Sequence, residues 1–256
     1  MKPRTRQDAI VNVVGEKGRV TVEELADLLG ASRETIRRDL TSLSEQGKLR
    51  KFHGGAALPR QDVEGPFQAR MAVNARLKRQ IAITATSIFE PGDTLFIDTG
   101  TTTLNFAEEL AKCSGLTVIT NSSAIARVIS LSETDSRVFL IGGEFQGDNQ
   151  ETVGTLAIDQ IRVFRTRHAV LTVGGLDANA GAMDFNIEEA QVARAMIEQA
   201  ELVTVLADSS KFDCNALFEV CKFDKIDTLV CDQAPTGDLL ASLKKMQVNI
   251  VTTESI

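Results

Sequence analysis

The sequence predicts an α/β protein in two parts: a small helical module with a β-wing, then a larger domain built on a mostly parallel sheet. Three observations lead to this prediction. Capped helical patterns fill the N-terminal residues, a stretch with Pro59 and Pro66 but no clear periodicity follows, and short apolar strand patterns then alternate with helical patterns. Such alternation is typical of a parallel sheet covered on both faces. The expected divisions are residues 1–57, a linker at 58–75, and 76–256.

The distribution of charge supports the same division. The 256 residues are 43% hydrophobic, enough for a sizeable core, and carry a net charge of −7. Residues 1–60 hold 12 Lys and Arg against 8 Asp and Glu, a net +4, so the remaining chain carries −11. A basic module before an acidic body indicates a DNA-contacting head attached to a domain with another task.

Several classes of protein are disfavoured by composition. No apolar run approaches the roughly 18 residues of a membrane span, and the basic N-terminus lacks an apolar signal-peptide core. These features predict a soluble cytoplasmic protein. The four cysteines form no CxxC pair and only two histidines occur, which disfavours a zinc site or a disulfide framework. We expect no metal and no cofactor.

The first two helices of the head follow from apolar spacing and caps. Residues 5–14 predict a helix with its apolar side chains inward, and Gly15–Gly18 is expected to bracket a turn. Thr21–Glu24 matches a capping box, with Thr at the N-cap and Glu three residues later, opening a helix through Leu29. Gly30 and Ala31 predict a tight turn into the next helix.

The segment 31–49 predicts the helix around which the head is organised. Ile36, Leu40 and Leu43 form one apolar stripe at helical spacing, Ser32 suits an N-cap, and Gly47 suits a left-handed stop. The opposite face carries the side chains Arg33, Thr35, Arg37 and Arg38. Two interpretations stay open: a recognition helix that meets DNA, or an ordinary solvated helix in which Arg37 or Arg38 pairs with Glu34 or Asp39.

Residues 48–56 predict a basic, extended segment that ends at Gly54–Gly55. Its Lys51 and His53 suit the tip of a wing that contacts the DNA backbone, although His53 could equally cap a turn. Two short helices joined by a glycine-containing turn, after a supporting helix, form a helix-turn-helix pattern. The three predicted helices followed by this basic segment therefore predict a winged helix-turn-helix.

The larger domain shows seven strand patterns and five helix patterns. The strands are expected at 94–98, 116–120, 137–143, 168–175, 202–208, 228–232 and 249–253, and the helices at 76–89, 102–112, 122–131, 187–200 and 237–246. In such folds ligands bind beyond the carboxyl ends of the strands. Several predicted strands are followed there by small or polar residues.

The stretch DTGTTT at 98–103 is the clearest candidate for a ligand site among these strand ends. Glycine permits close backbone approach, hydroxyls donate hydrogen bonds, and a helix begins there with its positive dipole end, which suits a phosphate. Thr-rich capping without any ligand is an equally good interpretation of this stretch alone. No GxxxxGK[ST] motif occurs, so a nucleoside triphosphate is not expected. Lys211 could add a positive charge, or could be an ordinary surface lysine.

The head closely resembles the winged helix-turn-helix of the DeoR family of bacterial transcription regulators. The resemblance runs through TVEELADLLGASRETIRRDLTSLSEQGKLRKFHGGA and covers about the first 57 residues. Ala31, where the family often has Val, and Lys51-Phe52 depart from the usual pattern and bear on packing and wing contacts. The resemblance implies double-stranded operator DNA as partner and these contact residues: Ser32, Arg33, Thr35, Arg37 and Arg38, with Lys51 and His53 in the wing.

The segments IDTGTTT, VITNS, IGGE, VGGLD and LADSSKF are similar to the sensor domain of the same family, whose fold resembles sugar-phosphate isomerases. The resemblance implies a phosphorylated sugar or polyol effector and a homodimer or homotetramer. It places Asp98, Thr99, Gly100, Thr101 and Thr102 in a phosphate loop, and Asn121, Gly143, Glu144, Gly175, Asp208 and Lys211 in the rest of the pocket. GGAALP, TLFIDTGTT and SKF are most similar to the members that regulate glycerol 3-phosphate regulons.

A ligand-responsive repressor is therefore the leading interpretation, and two alternatives remain. An activator would use the same parts, because the sign of regulation depends on operator position. A sugar-phosphate isomerase or deaminase with an accessory head would need a complete acid/base set. Asp98, Glu144 and Asp208 supply carboxylates, but the domain's only histidine, His168, lies at a strand start rather than the ligand end. We therefore expect no catalytic residues.

Overall fold

The computed structural model describes residues 3–17, 19–45, 49–52, 54–57 and 65–253. Two compact units divide the chain, Met1–Gln61 and Asp62–Ile256. The predicted roles of Gly18, Gly47 and His53 fall on residues outside the described ranges.

The N-terminal unit is a helical module with a small sheet. Its described elements, in chain order, are α1 Pro3–Lys17, β1 Arg19–Thr21, α2 Val22–Leu29, α3 Arg33–Glu45, β2 Arg50–Phe52 and β3 Gly55–Ala57. β2 and β3 form an antiparallel hairpin, and β3 also pairs with β1. The predicted helix-turn-helix with a wing is confirmed.

The apolar stripe of α3 forms the centre of this unit. Ile36, Leu40 and Leu43 are at most 1% exposed and pack with Ile10 of α1 and Leu25 of α2 in one cluster. Because these three positions recur at helical spacing, burying them turns the charged face of α3 to solvent.

The connection from α2 to α3 also forms as predicted. The Thr21 hydroxyl accepts from the Glu24 N–H, and the Glu24 carboxylate accepts from the Thr21 N–H at 2.8 Å, which completes the capping box. Gly30 ends α2 with φ of 58°, in the left-handed region that favours glycine.

The turn expected at Gly15–Gly18 is wrong at its first residue. α1 continues through Gly15 to Lys17. A glycine in a helix costs only about 1 kcal/mol relative to alanine, and Val14, fully buried in the core, holds this last turn in place. The burial of the neighbouring residue therefore outweighs the local preference of glycine.

The second unit alternates strands and helices. Its described helices are α4 Phe67–Ala72, α5 Ala75–Thr86, α6 Thr101–Leu110, α7 Ser123–Ser130, α8 Thr155–Ile161, α9 Ile187–Glu198 and α10 Gly237–Lys245. Its described strands are β4 Thr94–Ile97, β5 Thr117–Thr120, β6 Arg137–Leu140, β7 Glu144–Gln146, β8 Glu151–Val153, β9 Thr166–Leu171, β10 Gly175–Asp177, β11 Gly181–Asp184, β12 Ala200–Leu206, β13 Phe218–Cys221, β14 Thr228–Cys231 and β15 Asn249–Thr252.

The seven strands predicted from the sequence form one parallel sheet, in the order β15-β14-β12-β9-β4-β5-β6. The chain moves outward from β4 through β5 to β6 and then returns to β9 on the other side of β4. β4 and β9 therefore border a topological switch point, where open α/β sheets bind ligands.

The sheet is covered on both faces, as the apolar strands predict. In β4, Leu95 and Ile97 belong to one buried cluster with α5 and α6, whereas Phe96 between them belongs to another with α9 and α10. Alternate side chains of a strand point to opposite faces, so this central strand needs apolar residues at every position.

The structure adds short antiparallel strands that the sequence patterns did not predict. β7 pairs with β8, and β10, β11 and β13 form a three-stranded sheet. Two predicted strands are accordingly shorter, since β6 ends at Leu140 and β9 ends at Leu171. Glu144 therefore begins β7 and Gly175 begins β10, so neither directly follows a strand of the parallel sheet.

Within the linker expected at 58–75, residues 67–72 form α4, a helix that the sequence patterns did not predict. Phe67 is only 2% exposed, so α4 is anchored in the second unit by burial. A six-residue helix is too short to show helical periodicity in the sequence. α5 then begins after Asn74, close to the predicted position.

Candidate DNA-binding face and effector cleft

The first residues of α3 present a polar, basic surface. The Ser32 hydroxyl accepts from the Thr35 N–H at 3.2 Å and lies 2.8 Å from the Thr35 hydroxyl, so it caps the helix as predicted. Arg33, Arg37 and Arg38 are all exposed. This surface combines hydroxyls, exposed guanidinium groups and a helix N-terminus, which are the groups that contact phosphates and base edges.

The three arginines differ in their pairing within the head. Arg33 lies 3.0 Å from Glu23 and Arg38 lies 3.6 Å from Glu34, both as exposed ion pairs. Asp39 is instead buried against Arg6 of α1. The internal pairing that was an open alternative for Arg37 or Arg38 is therefore made by Arg38. Arg37 makes no ion pair with any residue that the structure describes.

Lys51 of the wing is exposed and donates to the Thr41 hydroxyl of α3 at 2.8 Å. This bond links β2 to the helix that carries the arginines. Lys51 thus adds a cation beside α3.

In the second unit, a cleft lies at the switch point, beyond the carboxyl ends of the central strands. It is lined by Asp98 and Thr99 after β4, Asn121 after β5, Glu151 of β8, Asp184 of β11, and Glu189, Val192 and Ala193 of α9. Three of these residues, Asp98, Thr99 and Asn121, were expected from the sequence. The others were not identified from the sequence, since they come from the unpredicted short strands and from α9.

A chain of hydrogen bonds fixes the floor of this cleft. Asp98 Oδ2 accepts from the Thr172 N–H at 2.9 Å, which links the end of β4 to the residue after β9. Thr99 Oγ1 donates to Asn121 Oδ1 at 3.3 Å, and Asn121 Nδ2 lies 3.3 Å from Glu151 Oε2. The floor is therefore polar, buried and preorganised by residues at the ends of β4, β5 and β9 and in β8.

The charge of the lining is entirely acidic. Four carboxyl groups line the cleft and none of its lining residues is basic. Burial is the main cause that raises the pKa of Asp98 well above its ordinary value, against the Thr172 N–H, which lowers it. Burial also raises the pKa of Glu151, while the charge of Arg70 acts in the opposite direction. Both carboxyls thus hold protons more strongly than they would in water.

Six other predicted effector residues lie outside the lining of the cleft. Thr101 and Thr102 are buried in the first turn of α6, directly after Gly100. Gly100, Gly143 and Gly175 lie so close to neighbouring atoms that a Cβ would collide with them. The side chain of Glu144 is exposed on β7. None of these residues is among those that line the cleft.

Asp208 and Lys211 lie after β12, as predicted. Asp208 is 2% exposed and caps the short turn Ser209–Lys211 through the Ser210 N–H. Its Oδ1 also accepts from Asn74 Nδ2 at 3.0 Å, at the start of α5.

The segment α4–α5 contacts residues beside the cleft. Arg70 Nη2 donates to Asn149 Oδ1 at 2.8 Å, and Asn149 Nδ2 in turn donates to Glu151 Oε1 at 3.0 Å. The buried Lys78 Nζ donates to the Arg70 carbonyl at 2.7 Å. Arg70 is a basic residue next to the acidic cleft that the sequence analysis missed, because it lies in the predicted linker.

His168 lies far from these groups, near the amino end of β9. It is 4% exposed, packs edge-on against Phe89, and has Asp93 3.5 Å from its Nε2. Burial lowers its pKa. Within the described ranges, no cluster of His, Cys, Asp and Glu suits a metal ion. No described helix is both long and apolar enough to span a membrane.

Comparison with known proteins assigns both parts of the chain. Residues 6–62 match the DeoR-like helix-turn-helix domain, and residues 73–233 match the DeoR C terminal sensor domain. The ribose 5-phosphate isomerase A of Methanocaldococcus jannaschii is similar over 54% of this chain and 55% of its own, with 16% identity and a TM-score of 0.40.

Full-length relatives carry the same two parts. The glycerol-3-phosphate regulon repressor of Escherichia coli (strain K12) is 33% identical over 98% of this chain and 99% of its own. The HTH-type transcriptional repressor GlcR of Bacillus subtilis (strain 168) is 30% identical over 99% and 98%. Both relatives are named as repressors. With a head and a sensor domain that both match over nearly the full length, the chain belongs to the DeoR family.

Proposed function

We propose that this protein is a DNA-binding transcriptional repressor of a carbohydrate or polyol catabolic operon, released from its operator by a phosphorylated sugar or polyol. The observation that carries the proposal is the presence, in one chain, of a basic recognition helix and a polar cleft at the switch point of a parallel sheet. Relatives named as repressors favour repression over activation.

The head binds double-stranded operator DNA in this proposal. α3 enters the major groove, where arginine can take a guanine edge or a phosphate, and hydroxyls take phosphate oxygens. The proposed contacts are Ser32, Arg33, Thr35, Arg37 and Arg38 of α3 with Lys51 and His53 of the wing. The ion pairs of Arg33 and Arg38 are exposed, so exchanging their partners for phosphates costs little.

The sensor domain binds the effector at the carboxyl ends of its strands. The proposed residues are Asp98, Thr99, Gly100, Thr101, Thr102, Asn121, Gly143, Glu144, Gly175, Asp208 and Lys211. The first turn of α6 offers free helix amides to a phosphate. Glycerol 3-phosphate is one candidate, since a full-length relative is named for its regulon.

Release follows from a shift between two arrangements. The arrangement that binds DNA is favoured without effector, and the effector prefers the other. One small head makes few contacts, so we expect two heads to bind paired half-sites in a homodimer or homotetramer. Exposed Phe139, Leu140 and Phe145, at the β6 edge of the sheet and on β7, support self-association through the sensor domain.

The test is fluorescence-anisotropy binding to DNA upstream of the protein's own gene. Binding is measured at two salt concentrations, with and without a panel of phosphorylated three- to six-carbon sugars and polyols. We expect tight, salt-sensitive binding that one compound relieves. Turnover of a panel member without DNA binding would contradict the proposal and make the sensor domain an enzyme.

A further inference from the structure

The floor of the sensor cleft contains a buried carboxylate oxygen with no hydrogen-bond partner. Asp98 is 7% exposed and its Oδ2 accepts from the Thr172 N–H at 2.9 Å, but no described residue bonds its Oδ1. Buried polar atoms without partners are rare and costly in folded proteins. Because Asp98 lines the cleft, a group entering the cleft can supply the missing bond.

Glu151 lies beside it with acceptor capacity to spare. It is 1% exposed, and each of its oxygens takes one amide N–H, from Asn149 at 3.0 Å and from Asn121 at 3.3 Å. A carboxylate offers about four lone-pair sites, so two bonds leave room for further donors. Since Asn121 also holds Thr99 after β4, Glu151 is fixed relative to the end of β4.

The charge of the lining selects what can enter. Asp184 and Glu189 add two more carboxyls, and Arg70 beside the cleft is not among the lining residues, so the floor offers a phosphate dianion mainly acceptor oxygens rather than the donors it needs. A hydroxyl group carries no charge and donates to a carboxylate. Burial raises the pKa of Asp98, and a protonated Asp98 could also donate to a hydroxyl oxygen. Val192 and Ala193 offer an apolar wall to the carbon chain.

We infer that Asp98 and Glu151 form the subsite for the hydroxyl groups of the effector, and that the phosphate lies outside this floor, toward the first turn of α6. This inference rests on the proposed function and makes it more specific. It moves Asp98 from the expected phosphate loop to hydroxyl recognition and adds Glu151 to the binding residues. The effector is thus selected by its hydroxyl groups, and a phosphate alone is insufficient.

The test compares ligands that differ only in hydroxyl groups. Isothermal titration of the full-length protein uses glycerol 3-phosphate against propyl phosphate, glucose 6-phosphate against 2-deoxyglucose 6-phosphate, and inorganic phosphate alone. A site that hydrogen-bonds hydroxyl groups discriminates strongly against an analogue that lacks them. We therefore expect the deoxygenated partner of the binding compound to bind at least about tenfold more weakly. Inorganic phosphate should bind no better than that partner.

Substitutions of Asp98 and Glu151 then test whether these residues cause the preference for ligands with hydroxyl groups. Asp98→Asn and Glu151→Gln keep the shape of each side chain. We expect each variant to lower the ratio of the affinity for the hydroxylated compound to the affinity for its deoxygenated partner by about tenfold or more. The affinity for the deoxygenated partner should be unchanged. Asp159→Asn on the exposed face of α8 is the matched control and should keep the ratio. The Glu151→Gln variant and the wild-type comparison remain informative if Asp98→Asn fails to fold.

The outcomes separate the inference from the proposed function. Equal binding of a compound and its deoxygenated partner to the wild-type protein would overturn the hydroxyl subsite and leave the sensor role standing. An unchanged ratio in a folded Glu151→Gln variant would overturn the assignment of Glu151. Failure of every phosphorylated compound to bind would overturn both the proposed function and the inference.

Discussion

Arg37 differs from its neighbours on α3 because its side chain is exposed and makes no ion pair with a described residue. Arg33 and Arg38 each face a glutamate, so their charges are partly balanced within the head. The Arg37 guanidinium can therefore turn toward DNA without breaking an ion pair within the head. For the same reason its removal should leave the fold intact.

Arg37→Ala is expected to weaken operator binding by about 1–3 kcal/mol if the guanidinium reads a base edge, or to reduce the salt dependence if it contacts a phosphate. Effector binding should be unchanged. Anisotropy with operator DNA and calorimetry with the effector measure the two properties separately. Arg162→Ala, an exposed arginine of the sensor domain, is the control. Loss of both properties in Arg37→Ala would contradict the assignment.

At the scale of elements, the head depends on close contacts between its short segments. β3 pairs with both β1 and β2, and Gly55 in β3 lies so close to the Val20 carbonyl and the Phe52 ring that a Cβ would overlap them. Gly15, in contrast, is exposed within α1 and has open space where a Cβ would be. The same substitution should therefore act in opposite directions at the two sites.

Gly15→Ala is expected to stabilise the head by up to about 1 kcal/mol, because alanine is the better helix former. Gly55→Ala should destabilise it by about 1–3 kcal/mol through overpacking of the β1–β3 contact. Urea unfolding followed by circular dichroism compares both variants with the wild type. If Gly15→Ala were destabilising, α1 would end before residue 15, as the sequence pattern first indicated.

At the scale of the whole molecule, the two units divide charge and task. The first 60 residues carry +4 and the remainder carries −11, so the acidic sensor domain repels DNA and leaves the head to bind it. Effector and operator affinities are coupled reciprocally, since each ligand must shift the same equilibrium. The segment α4–α5 follows the head in sequence and bonds to Asn149 beside the cleft and to Asp208 after β12, so it is well placed to respond to a bound effector.

Lys211→Ala tests this coupling. If Lys211 binds the phosphate, the variant should bind operator as the wild type does, but require at least about tenfold more effector for release. Anisotropy titrations of effector into the preformed operator complex give the midpoint directly. Lys244→Ala, a lysine near the end of α10, should release normally. Normal release of Lys211→Ala would exclude that lysine as a phosphate ligand.

Much of the fold could be predicted from patterns among residues that are close together in the sequence. The capping box at Thr21, the stripe Ile36–Leu40–Leu43 and the seven apolar strands are confirmed, because each encodes its element within a few neighbouring residues. The short hairpins and α4 could not be predicted in the same way. Strands of three or four residues and a six-residue helix carry too little periodicity, and they form because the sheet supplies a surface to bury them.

The sequence by itself determined the two-part architecture, the exposed arginines of α3 and the polar ends of the parallel strands, since these depend on spacing along the chain. Only the tertiary structure decided which side chains meet. Strand order places Asp98 beside the residue after β9. The unpredicted strand β8 brings Glu151, and the predicted helix α9 brings Glu189, to the same cleft. The acidic character of that cleft arises from residues distant in sequence, because burial and proximity are properties of the folded chain.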